Sequence, residues 1–222
     1  MKNRLSKAQA AYEDALENVE NLHVKISEGN NKLGAIPSVS LIPVMDCGNC
    51  AICAKSCYDL RNDFIYKEVI NTRAINSAIY HEDPERYFTE IDGYLDYRFP
   101  RAFRFHIGGD IQDKWYLDKM CEIARKHKDT KFLAFTKMFD VCNEYLDEGN
   151  VIPENMHILF SGWLGLKMDN RHGFPEAHPI FESGTSAPQG TLLCTGNCTE
   201  CLKEDRLCWS IGKGQAVGFL AH

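Results

Sequence analysis

Apolar positions recur every three or four residues at the start of the chain. Leu5, Ala8, Tyr12, Leu16, Val19 and Leu22, with charged residues between them, predict an amphipathic helix over residues 1–22. Gly29-Asn30-Asn31, Gly34 and Pro37 then keep the chain irregular. Residues 38–44 (SVSLIPV) predict a short strand that runs directly into a cysteine-rich loop. Helical spacing returns over residues 63–80 and 83–97, the second opened by Asp83-Pro84 with proline at the first helical position.

From Pro100 onwards the pattern alternates between period two and helical spacing. Residues 102–107 (AFRFHI), 131–136 (KFLAFT) and 156–162 (MHILFSG) predict strands. Between them lie helices over 115–126 and 139–146, with Trp115, Leu117, Met120, Cys121 and Ala124 as inner positions of the first. Strand, helix, strand at this spacing implies parallel strands with crossover helices. Residues 170–190, rich in Gly, Pro, Ser and His, predict a long loop, and residues 215–220 (QAVGFL) a last strand. The fold class is therefore α/β: a partial, open (β/α) barrel or a parallel sheet, with an N-terminal helix and cysteine-rich loops. One domain of residues 1–222 is expected, comprising the helix at 1–22, a βα core at 38–165 and a cysteine segment at 190–222.

Composition narrows the function classes. The 222 residues are 44% hydrophobic and 25% charged, which excludes a disordered chain or a rod. A net charge of −6 argues against a generic nucleic-acid binder, whose affinity comes largely from phosphate neutralisation. The polar start and the lack of a long apolar run predict a cytoplasmic chain outside the membrane. Thiols stay reduced in that compartment, so ten cysteines favour metal binding over disulfides.

Eight of the ten form two groups. Cys47, Cys50, Cys53 and Cys57 have the spacing C-x2-C-x2-C-x3-C; Cys194, Cys198, Cys201 and Cys208 have C-x3-C-x2-C-x6-C. The first spacing is that of the bacterial ferredoxin run, with Tyr58 where that run has proline. One or two [4Fe–4S] clusters are the favoured reading. Zinc held by one knuckle from each group is the alternative. Cys121 and Cys142 stand apart and read as small buried hydrophobes.

In open α/β folds ligands bind at the carboxyl ends of the strands. Besides the first cysteine loop, three polar groups fall there: His106 with Gly108, Gly109 and Asp110; Thr136 with Lys137; and Ser161-Gly162-Trp163. His106, Asp110 and Lys137 are the candidate catalytic residues, and Gly108, Gly109 and Asp110 the candidate cofactor-binding residues. By period two, His106 is expected on the same face as Arg104. His23, Lys25, Asn30 and Lys32 predict a solvated face, with a cationic lip as the alternative. His172, His178 and His222 receive no role, beyond a metal-ligand option for His172 and His178.

Several blocks resemble the bacteriophage gene-product-88 family: HVKISEGNNKLGAIPSVSL, CAKSCYDLR, RFHIGGDI, KFLAFTK and the closing CTGNCTEC…CW…VGFLAH. That resemblance implies a phage or prophage context and no particular reaction. It also implies Cys47, Cys53 and Cys57 as ligands ahead of Cys50. A looser resemblance is to radical S-adenosylmethionine enzymes. It rests on a cysteine loop after the first strand, an aromatic beside its last cysteine (Cys57-Tyr58), and a Gly-Gly-acidic turn after the next strand (Gly108-Gly109-Asp110). It implies that this turn holds the methionine amino group. The sequence departs from that pattern, because C-x3-C-x2-C occurs only in the second group.

Together these readings predict an iron–sulfur enzyme of redox or radical type, possessing S-adenosylmethionine as an optional cosubstrate, an electron donor and an unknown small-molecule or macromolecular substrate. The alternative is a zinc-stabilised, non-catalytic protein that binds nucleic acid or a host protein.

Overall fold

The computed structural model describes residues 2–48, 53–57, 59–60 and 66–220. Cys50, Tyr58 and His222 lie outside the described residues. Helix α1 (Lys2–Leu16) places Ala8, Ala11 and Tyr12 on Ile42, Ile70 and Ala74. It is shorter than the pattern predicts. After a turn the chain makes a single 3-10 turn, Val19–Asn21, and Val19 and Leu22 join the main core instead of continuing the α1 stripe.

The described strands form one open sheet in the order β1 (Ser38–Val39), β2 (Ala102–Phe105), β3 (Lys131–Thr136), β4 (Met156–Ser161), β5 (Glu176–Phe181), β8 (Ala216–Leu220), β7 (Leu192–Leu193). Every pairing along this path is parallel. β6 (Gly184–Thr185) folds back antiparallel on β5. The sheet does not close into a barrel. β1 ends at Val39, not Val44, for local reasons. Pro43 has no N–H to offer, Val44 takes a left-handed φ of 75°, and the Ile42 N–H turns to the Asp46 carboxylate.

Alternation sorts the strand residues onto two faces. Phe103, Phe105, Phe132, Ala134, Ile158 and Phe160 point into the main core. That core is closed by α2 (Lys67–Glu82), α3 (Pro84–Arg98), α4 (Lys114–Lys126) and α5 (Phe139–Asp147). Asp83 caps α3 and Asp113 caps α4, each accepting a backbone N–H three residues on. Ala102, Leu133, Leu159, Ala177 and Val217 form the other face. Leu33 and Ile36 cover it together with the C-terminal segment, through Cys201, Trp209 and Ile211.

The expected loop at 170–190 is not a loop: it contains β5 and β6. Pro179 obscured this strand, yet costs little there. Phe160 and Gly162 of the β4 edge donate to the carbonyls of Pro175 and Ala177, so odd-numbered residues of β5 face β4. The β4–β5 ladder stops at Ser161–Ala177, and the N–H that Pro179 lacks would point past its end. Among the described residues no helix is long and apolar enough to cross a membrane.

Candidate functional site

The first cysteine loop is anchored by a residue the sequence reading passed over. Asp46 is buried, and its Oδ2 accepts from the Ile42 N–H at 3.0 Å and the Ser77 hydroxyl at 2.6 Å. Its Oδ1 lies 2.7 Å from His81 Nε2 on α2. Its backbone carbonyl accepts from the Asp110 N–H at 2.8 Å and Gln112 Nε2 at 2.9 Å. The loop start is thus tied both to α2 and to the turn after β2. The Cys47 sulfur accepts the Val44 N–H at 3.4 Å, and that of Cys57 the Leu60 N–H at 3.3 Å. Burial pushes the Cys57 thiol up, and the charges of Asp59 and Cys53 add to that.

Gly108 and Gly109 have packing reasons to be glycine. A Cβ on Gly108 would stand 2.3 Å from Asp59 Oδ2, and one on Gly109, whose φ is +82°, 2.7 Å from the Leu41 Cβ. Beneath Gly108 the buried Asp59 and Arg73 form an ion pair at 2.6 Å. The Asp110 carboxylate is buried and accepts three internal hydrogen bonds. They come from the Ile111 N–H at 2.7 Å, the Thr136 hydroxyl at 2.6 Å and the Lys137 N–H at 2.9 Å. It thereby staples the end of β2 to the end of β3. Desolvation pushes its pKa up, opposed by those donors and the Lys137 charge.

His106 departs from expectation. Its φ is +57°, so strand alternation ends at Phe105 and the ring turns to the helical face, away from Arg104. There its Nε2 lies 2.8 Å from the Tyr116 hydroxyl. Burial, helped by the Arg104 charge, lowers its pKa to about 3, so the ring is neutral near pH 7. Lys137, Ser161 and Trp163 do come together: Lys137 Nζ sits 3.0 Å from Ser161 Oγ and 5.8 Å from the centre of the Trp163 ring. Of the three, Lys137 lines a cleft of about 510 Å³ at the strand ends, together with Gly48, Met138, Asp140, Lys167 and Asp169 among others. Gly48 brings the cysteine loop to this cleft, since a Cβ there would meet Met138 Sδ at 2.5 Å.

The second cysteine group lies over a sheet face, not at the strand ends. Cys194, Cys198 and Cys208 are partly buried and Cys201 buried against the layer that includes Ala102, Leu133 and Val217. The segment is held by the Cys194 N–H on the Gly218 carbonyl at 2.8 Å and the Cys198 N–H on the Lys32 carbonyl at 3.0 Å. The Gly196 N–H donates to Cys194 Sγ at 3.4 Å, and Thr195 Oγ1 is 3.4 Å from Cys201 Sγ. Burial pushes the Cys208 thiol up to about 12, and the charges of Cys194, Cys198 and Cys201 reinforce the rise while Arg104 opposes it. Cys198 is likewise raised by burial, with Arg104 and Lys32 pulling it down. Arg104 lies 4.8 Å over the Phe135 ring and Lys32 4.8 Å over the Phe219 ring, so both cations belong to this patch. Neither was legible as a neighbour of the cysteines.

Soft thiolates in these groups suit zinc or iron–sulfur. Sulfurs around one tetrahedral zinc ion stand ~3.8 Å apart, given a Zn–S distance of ~2.3 Å. Among the described residues the group of three ligand atoms converging within 4.8 Å is Asp92, Asp96 and His127, not a cysteine trio. The Lys126 ammonium already lies 2.6 Å from both of those carboxylates. Cys121 and Cys142 are fully buried in the main core, as expected.

An open parallel α/β sheet, with one cysteine loop at the end of its first strand and a second cysteine segment on one face, defines the class. The chain belongs to the gene product 88 family, which it matches over residues 4–178. That stretch takes in the first cysteine group, Asp110, Lys137 and most of the sheet, and stops short of the second cysteine group. The match does not extend to radical S-adenosylmethionine enzymes. No curated protein and no solved structure matches the chain.

Proposed function

We propose that this chain is an iron–sulfur protein whose cleft at the strand ends serves redox chemistry on a small molecule. The observation that carries the reading is the second cysteine patch. Four thiols share one patch with Arg104 and Lys32, and a backbone N–H is aimed at one sulfur. Cations and N–H donors around thiolate ligands stabilise the net negative charge of a bound cluster and tune its potential.

Cys194, Cys198, Cys201 and Cys208 would hold one cluster, and Cys47, Cys53 and Cys57 a second beside the cleft. When bound, a cluster supplies one-electron transfer, drawing on an external electron donor. The chain's own contribution at the cleft is positional. Lys137 offers an ammonium, steadied by Ser161 and Trp163, to an anionic substrate group. Asp110 fixes the Lys137 backbone. His106, neutral and buried against Tyr116, supports the turn from inside. A radical S-adenosylmethionine version would require Asp110 to exchange internal donors for the cosubstrate amine, which favours the plain redox version.

Anaerobic purification tests this. Absorbance near ~400 nm with iron and sulfide in the protein is the expected result. A colourless protein carrying stoichiometric zinc and no iron would overturn it in favour of the zinc-stabilised binding protein. A C198A variant is expected to lose one cluster's iron and C53A the other's.

A further inference from the structure

Independently of any metal, β5 carries a second chemical device. His178 is buried, and its two ring nitrogens have two different partners. Nε2 lies 2.7 Å from Glu176 Oε2, and Nδ1 lies 2.9 Å from Ser186 Oγ. Glu176 and His178 are two apart on one strand, hence on the same face, and the β5–β6 hairpin brings Ser186 back over them. The acid is itself oriented. Asn170 Nδ2 donates to Glu176 Oε1 at 2.9 Å, and Asn170 is fixed by bonds to both the N–H and the carbonyl of Phe174.

The chain of contacts sets the tautomer. A carboxylate at Nε2 requires the hydrogen there, which leaves Nδ1 of the neutral ring as an acceptor. The Ser186 hydroxyl is then the donor across 2.9 Å. Room at that nitrogen is kept by Gly162, where a Cβ would lie 2.3 Å from His178 Nδ1. The serine is exposed while the histidine is covered, so the hydroxyl meets solvent and the base does not. A nucleophile, a base within hydrogen-bond reach and a third group that orients the base is the arrangement that activates a serine.

We propose that Ser186 is a nucleophile activated by His178, with Glu176 as positioning residue, and that it accepts acyl groups from carboxylic esters. Ser186 Oγ bonds to the ester carbonyl carbon as its proton passes to His178 Nδ1. The carbon–alkoxide bond then breaks and the leaving alcohol takes that proton. Water, deprotonated by His178, hydrolyses the acyl-serine and restores the hydroxyl.

The test uses the full-length protein and a fluorophosphonate probe. The probe forms a serine O–P bond, expels fluoride and requires the same activated hydroxyl. Peptide mapping is expected to locate the label on Ser186, and S186A, at an exposed position, to keep its melting temperature and lose the label. E176Q allows the side-chain amide to donate to Nε2 and so reverses the tautomer. It is expected to slow labelling about tenfold or more, with E176D restoring part of the rate. Wild-type protein that takes up no probe, a label on another residue, or S186A labelled like wild type would overturn the proposal. Repeating the labelling on C198A separates this result from the iron–sulfur reading, because loss of the metal leaves the Ser186 label unchanged if both readings hold.

Discussion

His106 Nε2 lies 2.8 Å from the Tyr116 hydroxyl, on the opposite side of the sheet from Arg104, although the two residues are separated by a single position on the chain. The left-handed φ of 57° at His106 makes that possible. The consequence is a ring held neutral, with a pKa lowered from 6.5 to about 3 chiefly by burial.

This predicts an acid-labile protein with a definable slope. An unfolded histidine takes up a proton near pH 6.5, whereas the folded one resists until about 3. Stability is therefore fully present above the unfolded value and drains as pH falls between the two, at up to about 1.4 kcal/mol per pH unit for one proton. His106→Asn tolerates the left-handed backbone and does not titrate. Chemical denaturation from pH 7 to pH 4 should give a shallower fall for the variant, even though its stability at pH 7 is lower for want of the Tyr116 bond.

The buried pair of Asp59 and Arg73 supports a second prediction. At 2.6 Å and almost without solvent, the carboxylate depends on its guanidinium. Arg73→Met leaves that charge alone in the interior, at a cost of about 3 kcal/mol or more, a fall in Tm of roughly 10 °C. Asp59→Ala combined with Arg73→Met should recover most of the loss. If the double variant melts as low as the single one, the cost lies in the other contacts of Arg73 and not in the stranded Asp59 charge.

Much of the fold was legible because its signals are local. The helices at 84–98 and 114–126 and the strands at 102, 131 and 156 follow directly from periodicity and Asp83-Pro84, whereas the Asp113 cap of the second helix emerges only in the structure. β5 was hidden because Pro179 and a glycine-rich context read as loop, and only the end of the β4 ladder makes proline harmless there. His106 was misplaced because period two holds only while φ stays extended, and nothing in AFRFHI announces a left-handed residue. The cysteine groups were legible as motifs. Arg104 beside Cys198, and Glu176 with His178 and Ser186, depend on pairings between strands far apart in sequence or on a hairpin hidden with β5. Local pattern does not contain them.

Arg104 is the cation shared by Cys198 and Cys208, whereas Lys32 bears on Cys198. Arg104→Gln should therefore weaken metal retention at the second cysteine group more than Lys32→Gln does, by about tenfold in affinity. Chelator competition followed by iron and zinc analysis measures both. Equal retention in the two variants would detach Arg104 from the patch.

Cys121 and Cys142 should behave as core atoms. Burial raises both thiols, Cys121 to about 12, so neither is a thiolate at pH 8. In the native protein iodoacetamide should leave them unmodified, and Cys121→Ala and Cys142→Ala should keep the full metal content while costing about 1 kcal/mol each. Loss of metal in either variant would return that cysteine to the ligand set.

Asp110 separates positioning from binding. Its carboxylate accepts from the Thr136 hydroxyl and from the Ile111 and Lys137 N–H groups, and so fixes the backbone from which Lys137 enters the cleft. Asp110→Asn puts an amide donor against at least one of those donors and leaves a buried group unsatisfied, at a cost of about 1–3 kcal/mol. Lys137→Met removes the ammonium, and with it the partly exposed bond to Ser161, the contact with the Trp163 ring and the charge beside Asp110. The expected contrast is a larger fall in Tm for D110N than for K137M, and weaker anion binding for K137M. Titration with inorganic phosphate or a small carboxylate, followed by thermal shift, reads both. If D110N melts like wild type while phosphate stabilisation disappears, Asp110 belongs to the binding chemistry itself and not to the staple between β2 and β3.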